Sequence, residues 1–167
     1  NRLSKLKSNI LISGTAVLDK KLAEYAAENS LSGFEFLACI PGTIGGGLKM
    51  NAGCFGKEIK DILISIQAID KNGNVSTIPV NKINFDYRNN DLSDDLIFLS
   101  ASFKGEKQDT QRILETMSKL KTKKDNNQPT KIKTSGSTFK NPINETTKKV
   151  WELIKDSVPA DIQFGDA

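Results

Sequence analysis

The residues between Cys39 and Gly56 are the most unusual part of the chain in what they could bind. The segment reads CIPGTIGGGLKMNAGCFG and is dense in glycine. Glycine lacks a Cβ atom, so successive backbone N–H groups can approach an anion closely and form an anion-binding nest. Pro41 is suited to the first turn of a helix whose N-terminus would face a phosphate. The alternative is a tight structural crossover that needs glycine for packing, and this segment alone does not decide between the two.

Two further segments carry polar side chains in close succession. Residues 134–142 read TSGSTFKNP, which brings hydroxyls, an ammonium group and an amide together. A hydroxyl beside a lysine can donate a proton in catalysis. Residues 85–90 read FDYRNN, and the guanidinium of Arg88 could stabilise a carboxylate or a developing enolate. Each segment is also compatible with an ordinary surface loop.

The chain contains no histidine, and this limits the chemistry it can perform. The absence excludes Ser-His-Asp triads, Cys-His dyads and zinc motifs that contain histidine. Proton transfer would have to use a serine, tyrosine, lysine, arginine or carboxylate. Cys39 and Cys54 do not form a CxxC motif, so a pair of reduced thiols is expected rather than a disulfide or a metal site. No metal site is predicted.

The length and composition are those of a soluble globular chain. The 167 residues are 37% hydrophobic and 26% charged, which suits one domain or a domain and part of another. We find no apolar run of membrane-spanning length and no secretory leader, and we expect the chain to be a fragment cut at both ends. Residues 119–149 contain nine lysines against Asp125 and Glu145, a local charge of +7. Such a field suits a phosphate-bearing partner, although a solvated lysine-rich surface would look the same.

The elements that must position these segments can be read from hydrophobic periodicity. A strand is predicted over 9–18, and a helix capped by Asp19 continues through Asn29. The glycine-dense residues 33–56 are predicted to be irregular, because glycine disfavours both helix and strand interiors. The remaining predictions are strands at 62–69, 75–80 and 96–103, a hairpin turn at Asn72-Gly73, a polar connection over 81–90, a helix from Asp109 or Thr110, a linker at 125–130 and a short helix from Thr146 or Thr147.

Strands and helices therefore mix without a strict βαβ rhythm, and the predicted fold class is α+β. Three helical positions, Ile113, Met117 and Leu120, are expected to form the buried stripe of the long helix. The linker at 125–130 is the best candidate for a domain boundary.

Taken together, the three polar segments are far more specific than any one of them. The order IPGTIGG…MNAG..G, then YR, then GSTFKNP resembles the UDP-N-acetylenolpyruvoylglucosamine reductase (MurB) family of peptidoglycan synthesis. The resemblance extends over nearly the whole chain, from about Ile10. It implies the second subdomain of a two-subdomain FAD-binding fold of the PCMH/vanillyl-alcohol-oxidase type at 1–125, and the start of a substrate domain at 126–167.

The resemblance also implies an activity. In this family NADPH reduces FAD, which reduces UDP-N-acetylglucosamine enolpyruvate to UDP-N-acetylmuramate in the bacterial cytoplasm. By motif, Arg88 would stabilise the enolate-like intermediate and Ser137 would be the general acid. No nucleic-acid or membrane partner is implied. The expected FAD contacts are Pro41, Gly42, Thr43, Gly45, Gly46, Asn51 and Gly53, and the expected substrate contacts are Tyr87, Lys140 and Asn141.

Parts of the family pattern are replaced or lie outside the chain. An N-terminal flavin segment and the family's catalytic glutamate would lie outside residues 1–167, so this chain alone is expected to be inactive. Two alternatives stay open: another FAD-dependent oxidoreductase of the same fold, and a non-enzymatic anion- or nucleic-acid-binding module. The second lacks interleaved aromatic residues for base stacking. The replaced positions are Cys39, Gly47, Phe55, Asn90, Lys133 and Ser135.

Overall fold

A computed structural model describes residues 2–127, 139–142 and 145–159. The chain forms two compact units, Asn1–Pro129 and Thr130–Ala167. The division falls within the predicted linker, but the linker's first residues, up to Asn127, belong to a helix. The assignment of the two parts to a flavin subdomain and a substrate domain stays a prediction.

The first unit contains most of the regular structure. Its helices are α1 (Asp19–Glu28), α2 (Ile44–Lys49) and α3 (Thr110–Asn127), with 3-10 turns at Glu35–Cys39, Ile59–Asp61 and Val80–Lys82. Its strands are β1 (Leu3–Lys7), β2 (Ile10–Gly14), β3 (Leu31–Ser32), β4 (Gly53–Cys54), β5 (Lys57–Glu58), β6 (Leu63–Ile69), β7 (Val75–Pro79), β8 (Phe85–Asp86), β9 (Asn89–Asn90), β10 (Ile97–Lys104) and β11 (Glu106–Lys107). The described part of the second unit contains α4 (Val150–Ser157).

A five-stranded antiparallel sheet organises the first unit, in the order β1-β2-β10-β6-β7. One face of this sheet packs on the helices, because alternate residues such as Leu11, Ile66 and Phe103 point into the core and are fully buried. Leu22 on the apolar face of α1 belongs to the same buried cluster, and Phe34 meets the Phe103 ring edge-on at 6.4 Å between centroids. Burial of each such side chain contributes about 1.5–3 kcal/mol.

The structure confirms the α+β class and the hairpin that joins β6 to β7. Gly73 has a φ of +85° in that hairpin turn, as the Asn72-Gly73 pair predicts. The predicted strand over 9–18 was too long, because β2 ends at Gly14 and the chain then turns. Strand β1 and the short β8–β9 hairpin were not predicted.

Two predictions at helix ends were wrong. Leu18 occupies the N-cap position of α1, whereas Asp19 is the first helical residue and is fully buried. The last helix begins at Val150, not at Thr146 or Thr147. The predicted stripe of α3 is only partly buried: Ile113 is 2% exposed, and Met117 packs on the core as a half-buried residue. The predicted cap at Asp109 is confirmed, since its carboxylate accepts the Arg112 N–H at 3.1 Å.

Candidate functional site

The glycine block, residues 39–56, begins as an extended segment that runs beside the turn after β2. The Ile44 and Gly45 N–H groups donate to the carbonyls of Val17 and Thr15, at 2.9 and 2.8 Å. In the other direction, the Asp19 N–H donates to the Gly42 carbonyl at 3.0 Å. Backbone hydrogen bonds therefore fix the block to the turn after β2 and to the start of α1.

The glycine block then forms a helix, so the prediction that it is irregular throughout was wrong. Helix α2 begins at Ile44, three residues after Pro41, and Thr43 caps it by accepting the Gly46 N–H at 3.5 Å. Its first N–H groups thus already donate within the chain. The expectation that a helical turn starts at Pro41 was wrong, and the backbone of α2 offers an anion fewer donors than the glycine count suggested.

The glycines of the block differ in the space around them. A Cβ atom on Gly45 would lie 3.1 Å from the Thr15 Cβ and 3.2 Å from the Thr15 carbonyl oxygen, and one on Gly53 would lie 2.4 Å from the Lys57 carbonyl oxygen. Packing within the chain therefore requires these two glycines. Gly46 is exposed, and its nearest neighbour would be the Thr43 Oγ1 at 3.7 Å. It is a glycine of α2 with an open side that another molecule can approach.

Asp19 is a buried carboxylate beneath the glycine block that sequence analysis treated only as a helix cap. It is 0% exposed, and neither carboxylate oxygen has a hydrogen-bond partner. A Cβ on Gly42 would lie 2.8 Å from its Oδ2, and one on Gly47 would lie 3.3 Å from its Oδ1. Burial raises the pKa of the Asp19 carboxyl from 3.8 to about 7.

A groove of about 500 Å³ opens along the start of the glycine block. Its lining consists of Leu18, residues 38–43 and the ammonium-bearing Lys20 and Lys124. The apolar walls suit a ring system and the two cations suit a phosphate. The open groove and the exposed Gly46 therefore fit part of a flavin nucleotide, the cofactor that the family resemblance implies.

Both cysteines lie near this groove as free thiols. Burial raises the pKa of the Cys39 thiol, and it raises the pKa of the Cys54 thiol to about 11. Cys54 donates a hydrogen bond to the Phe36 carbonyl at 3.4 Å. Thiols held protonated in this way are poor nucleophiles.

The second half of the block forms the tight β4–β5 hairpin, in which two predicted flavin contacts have structural partners. Gly53 pairs with Glu58, and a Cβ on Gly53 would strike the Lys57 carbonyl. Asn51 is 4% exposed and donates from its Nδ2 to the Glu58 carboxylate at 3.0 Å. Its Oδ1 accepts the Lys60 N–H at 3.4 Å. These contacts account for both residues whether or not a cofactor is bound.

Tyr87 and Arg88 form the two-residue turn between β8 and β9. Arg88 is half-buried and has a φ of +53°, a left-handed conformation that non-glycine residues rarely adopt. Its guanidinium carbon lies 5.8 Å from the centroid of the Tyr87 ring. The Asp86 carboxylate supports the turn by accepting the Tyr87 N–H at 2.6 Å.

Two asparagines bring this turn and the glycine block together. The Asn90 Nδ2 donates to the carbonyls of Leu48 and Lys49 at the end of α2, both at 3.0 Å. The Asn51 Nδ2 also lies 3.4 Å from the Asp86 carbonyl. Asn90 is named above only as a departure from the family pattern. Its burial depends on the fold, so its role could not be predicted from the sequence.

The remaining predicted residues belong to the second unit. Ser137 lies outside the described residues, as do Lys133 and Ser135. Lys140 is exposed. The Asn141 Oδ1 accepts the N–H of Val150 at 3.0 Å and thereby satisfies the first residue of α4.

Comparison with known proteins supplies the family context of this geometry. A family model described as an FAD binding domain matches residues 1–78, which include the glycine block. The whole chain is 66% identical to a UDP-N-acetylenolpyruvoylglucosamine reductase of Pelagibacter ubique, and covers 55% of that protein. An enzyme of the same name from Rickettsia typhi is 49% identical over 87% of this chain, which covers 48% of the relative.

A solved structure agrees with the sequence relatives. The crystal structure of UDP-N-acetylenolpyruvylglucosamine reductase (MurB) from Thermus caldophilus matches with a TM-score of 0.76 and 27% identity, over 92% of this chain and 55% of that one. The resemblance to the UDP-N-acetylenolpyruvoylglucosamine reductase family is confirmed. The MurB-like fold and the FAD-binding domain match agree with the fold predicted from the motifs. The chain spans about half the length of these relatives.

Among the described residues of this MurB-like chain, none of the helices is long and apolar enough to cross a membrane. In the same ranges, no group of three or more histidine, cysteine, aspartate or glutamate side chains could hold a metal ion.

Proposed function

We propose that this chain is part of an FAD-dependent reductase that converts UDP-N-acetylglucosamine enolpyruvate to UDP-N-acetylmuramate. NADPH supplies the hydride and a second group supplies the proton, so each turnover consumes one NADPH and one H⁺ and releases NADP⁺. The proposed location is the bacterial cytoplasm, without a membrane or nucleic-acid partner. The 66% identity to a named reductase over the whole chain supports this proposal.

The flavin is proposed to lie against the first half of the glycine block. Pro41, Gly42 and Thr43 would line its groove, and Gly45 and Gly46 would present α2 to it. When bound, FAD supplies hydride transfer between NADPH and the substrate. Asn51 and Gly53 would act mainly by shaping the adjacent hairpin, because their hydrogen bonds and close contacts lie within the chain.

The substrate is proposed to react near the Tyr87–Arg88 turn. The Arg88 charge would stabilise the negative charge that develops when the enolpyruvyl double bond is reduced. The Ser137 hydroxyl would donate the proton to the substrate carbon, and Tyr87, Lys140 and Asn141 would bind the sugar nucleotide. The observation that carries this proposal is the attachment of the Arg88 turn to α2 by Asn90.

Flavin binding is tested with Gly46→Val in the complete protein. The added methyl groups would occupy the open side of α2, so we expect a soluble protein that has lost its yellow colour. Gly45→Val is not a clean test, because the new side chain would strike Thr15. Stoichiometric FAD in Gly46→Val would remove this glycine from the proposed flavin contact.

The proposed roles of Arg88 and Ser137 are tested by stopped-flow absorbance of the two half-reactions. In Arg88→Lys and Ser137→Ala, flavin reduction by NADPH should be unchanged, and reoxidation by the enolpyruvyl substrate should slow by about 10²–10⁴-fold. Arg112→Lys is the matched control, since Arg112 is exposed on α3. Loss in the first half-reaction alone would contradict both roles.

The isolated 167-residue chain should show no NADPH-dependent reduction of the substrate, since the complete catalytic set is expected to include residues beyond it. A complete protein that binds FAD but does not reduce this substrate would favour another flavoprotein of the same fold. A colourless protein that binds anions would favour the non-enzymatic alternative.

A further inference from the structure

Asn90 is 4% exposed, and all of its side-chain hydrogen-bonding groups have partners. Its Nδ2 donates to the Leu48 and Lys49 carbonyls at 3.0 Å each, and its Oδ1 accepts the Leu92 N–H at 3.0 Å. A single side chain thus joins the last residues of α2 to the strand that follows the Arg88 turn.

The short helix explains why an amide is used at this position. The last carbonyls of a helix have no partner within it, and α2 has only six residues. The Leu48 carbonyl also accepts the Asn51 N–H at 3.4 Å, so Asn90 adds a second donor there and supplies a donor to the Lys49 carbonyl. The Asn90 amide group has two N–H donors and so can serve two carbonyls at once. A serine offers one donor, an alanine none, and an aspartate would bring a negative charge to the negative end of the helix.

Arg88 is two residues before Asn90 and in a left-handed conformation. Such a backbone conformation persists only where surrounding contacts hold it. The antiparallel β8–β9 pairing holds the turn on one side, with Phe85 opposite Asn90. On the other side the Asn90 amide holds β9 to α2. The second link, from Asn51 to the Asp86 carbonyl, is longer at 3.4 Å.

We propose that Asn90 is a positioning residue that sets the place of Arg88 relative to the glycine block by fixing β9 to the end of α2. The inference deepens the proposed function and rests on it where it concerns catalysis. It predicts that loss of the Asn90 amide displaces Arg88 without removing it, and that the step that uses Arg88 slows while flavin binding is kept.

The test uses the complete protein with Asn90→Ala and Asn90→Ser. FAD content and flavin reduction by NADPH should be unchanged, and reoxidation by the enolpyruvyl substrate should slow by about 10- to 100-fold in Asn90→Ala, the range that a small misplacement costs. Asn90→Ser keeps one donor and should lose less than about tenfold. This milder variant also tests the proposal if the alanine variant does not fold.

Two controls separate positioning from general damage to the hairpin. Asn89→Ala removes the neighbouring exposed amide and should have no effect. Asn84→Ala removes the hydrogen bond from the Asn84 Nδ2 to the Asp91 carboxylate at the base of the hairpin but leaves the link to α2 intact. It should slow reoxidation less than Asn90→Ala does. Equal losses in the two variants would overturn the proposal.

A double-variant comparison shows whether Asn90 acts through Arg88. In an Arg88→Ala background, Asn90→Ala should cause no further loss, because the residue it positions is gone. Full multiplication of the two losses would overturn the proposal.

An NMR measurement keeps this inference separate from the proposed function. The Arg88 Nε–H resonance should move in Asn90→Ala and stay in place in Asn89→Ala, whether or not the protein reduces the substrate. If reoxidation by the substrate is absent in the unaltered protein, the proposed function fails, and this resonance alone decides the positioning role. An unmoved resonance in Asn90→Ala would overturn it.

Discussion

The glycine block and the hairpin turns beside it differ in which residues adopt a left-handed backbone conformation and in how much space a side chain would have. None of the glycines between residues 42 and 53 has a positive φ, yet Gly42, Gly45, Gly47 and Gly53 each face an atom 2.4–3.1 Å from where a Cβ would lie. By contrast, Asn51, Phe55 and Arg88 carry side chains at φ values of +41°, +54° and +53°.

The difference shows that glycine is present here for space rather than for backbone freedom. A left-handed conformation costs a non-glycine residue about 1–2 kcal/mol. Where a non-glycine residue adopts this conformation, its side chain must provide a contact or a function that offsets the cost. The Asn51 side chain forms hydrogen bonds with Glu58 and Lys60 beside the adjacent hairpin. Arg88 is proposed to stabilise the negative charge that develops on the substrate. Glycines that packing requires can thus be distinguished from left-handed positions whose side chains have a functional role.

The largest expected effect concerns Asp19, the group that Gly42 and Gly47 face. Its folded pKa of about 7 lies above the unfolded value of 3.8, so the folded state binds the extra proton between these values. The stability that this group contributes is therefore lost as pH rises from about 4 to 7. We expect the stability of Asp19→Asn relative to the unaltered protein to increase by up to about 4 kcal/mol between pH 4 and pH 7.

Urea unfolding followed by circular dichroism between pH 4 and 8 measures this difference. The exposed Asp95 provides the control substitution, Asp95→Asn. If the difference in unfolding free energy between Asp19→Asn and the unaltered protein does not grow with pH, burial does not raise the pKa of the Asp19 carboxyl.

The second prediction compares two effects within one hairpin: the lack of space for a Cβ at Gly53 and the left-handed backbone at Gly56. Gly53→Ala should destabilise the protein by about 3 kcal/mol, because the new Cβ meets the Lys57 carbonyl. Gly56 has a φ of +79° and nothing within 4 Å of a Cβ, so Gly56→Ala should cost only about 1 kcal/mol. Thermal unfolding of both variants is the measurement, and the reverse order would break the comparison.

The third prediction concerns neighbouring glycines in α2. Gly46→Ala should stabilise the protein by about 0.5–1 kcal/mol, since alanine is the better helix former and its Cβ has room. Gly45→Ala should destabilise it, because Thr15 lies in the way. Urea midpoints of the two variants should therefore move in opposite directions. Stabilisation by both would show that Thr15 gives way.

The smallest expected effect is at Phe55. Its ring lies 5.0 Å from the Lys123 ammonium, a contact worth about 0.5–1 kcal/mol at an exposed site. Phe55→Asn would lose this contact but would suit the left-handed backbone better. We expect the two effects to cancel to within about 0.5 kcal/mol in urea unfolding. A clear gain in stability would indicate that the ring is kept for a purpose other than folding.

Local patterns in the sequence predicted the elements that depend on local contacts. The alternation of residues in β6 and the Asn72-Gly73 pair predicted one hairpin, and the spacing of apolar residues predicted α1. Helix α2 could not be predicted in this way, because glycine is a poor helix former. It forms because Thr15 and Val17 accept its first N–H groups and Asn90 serves its last carbonyls, contacts that no local pattern contains.

The candidate site shows the same limit. Motif order places the glycine block and Arg88 in one family pattern, and the structure joins the strand that follows Arg88 to the end of α2 through Asn90. Asp19 was assigned as a helix cap because its sequence position suits one. Its burial depends on Gly42 and Gly47, which fold over it from more than 20 residues away in the chain. Ser137 lies outside the described residues, so its proposed role rests on the motif.

The strand order has a consequence for how the chain is made. Ile12 in β2 pairs with Ser102 in β10, a residue 90 positions later. At a synthesis rate of about 5–20 residues per second, β2 waits about 5–20 s for this partner to be translated. Until then one edge of an Ile- and Leu-containing strand can pair with another chain. The nascent protein is therefore exposed to edge-to-edge aggregation until β10 emerges.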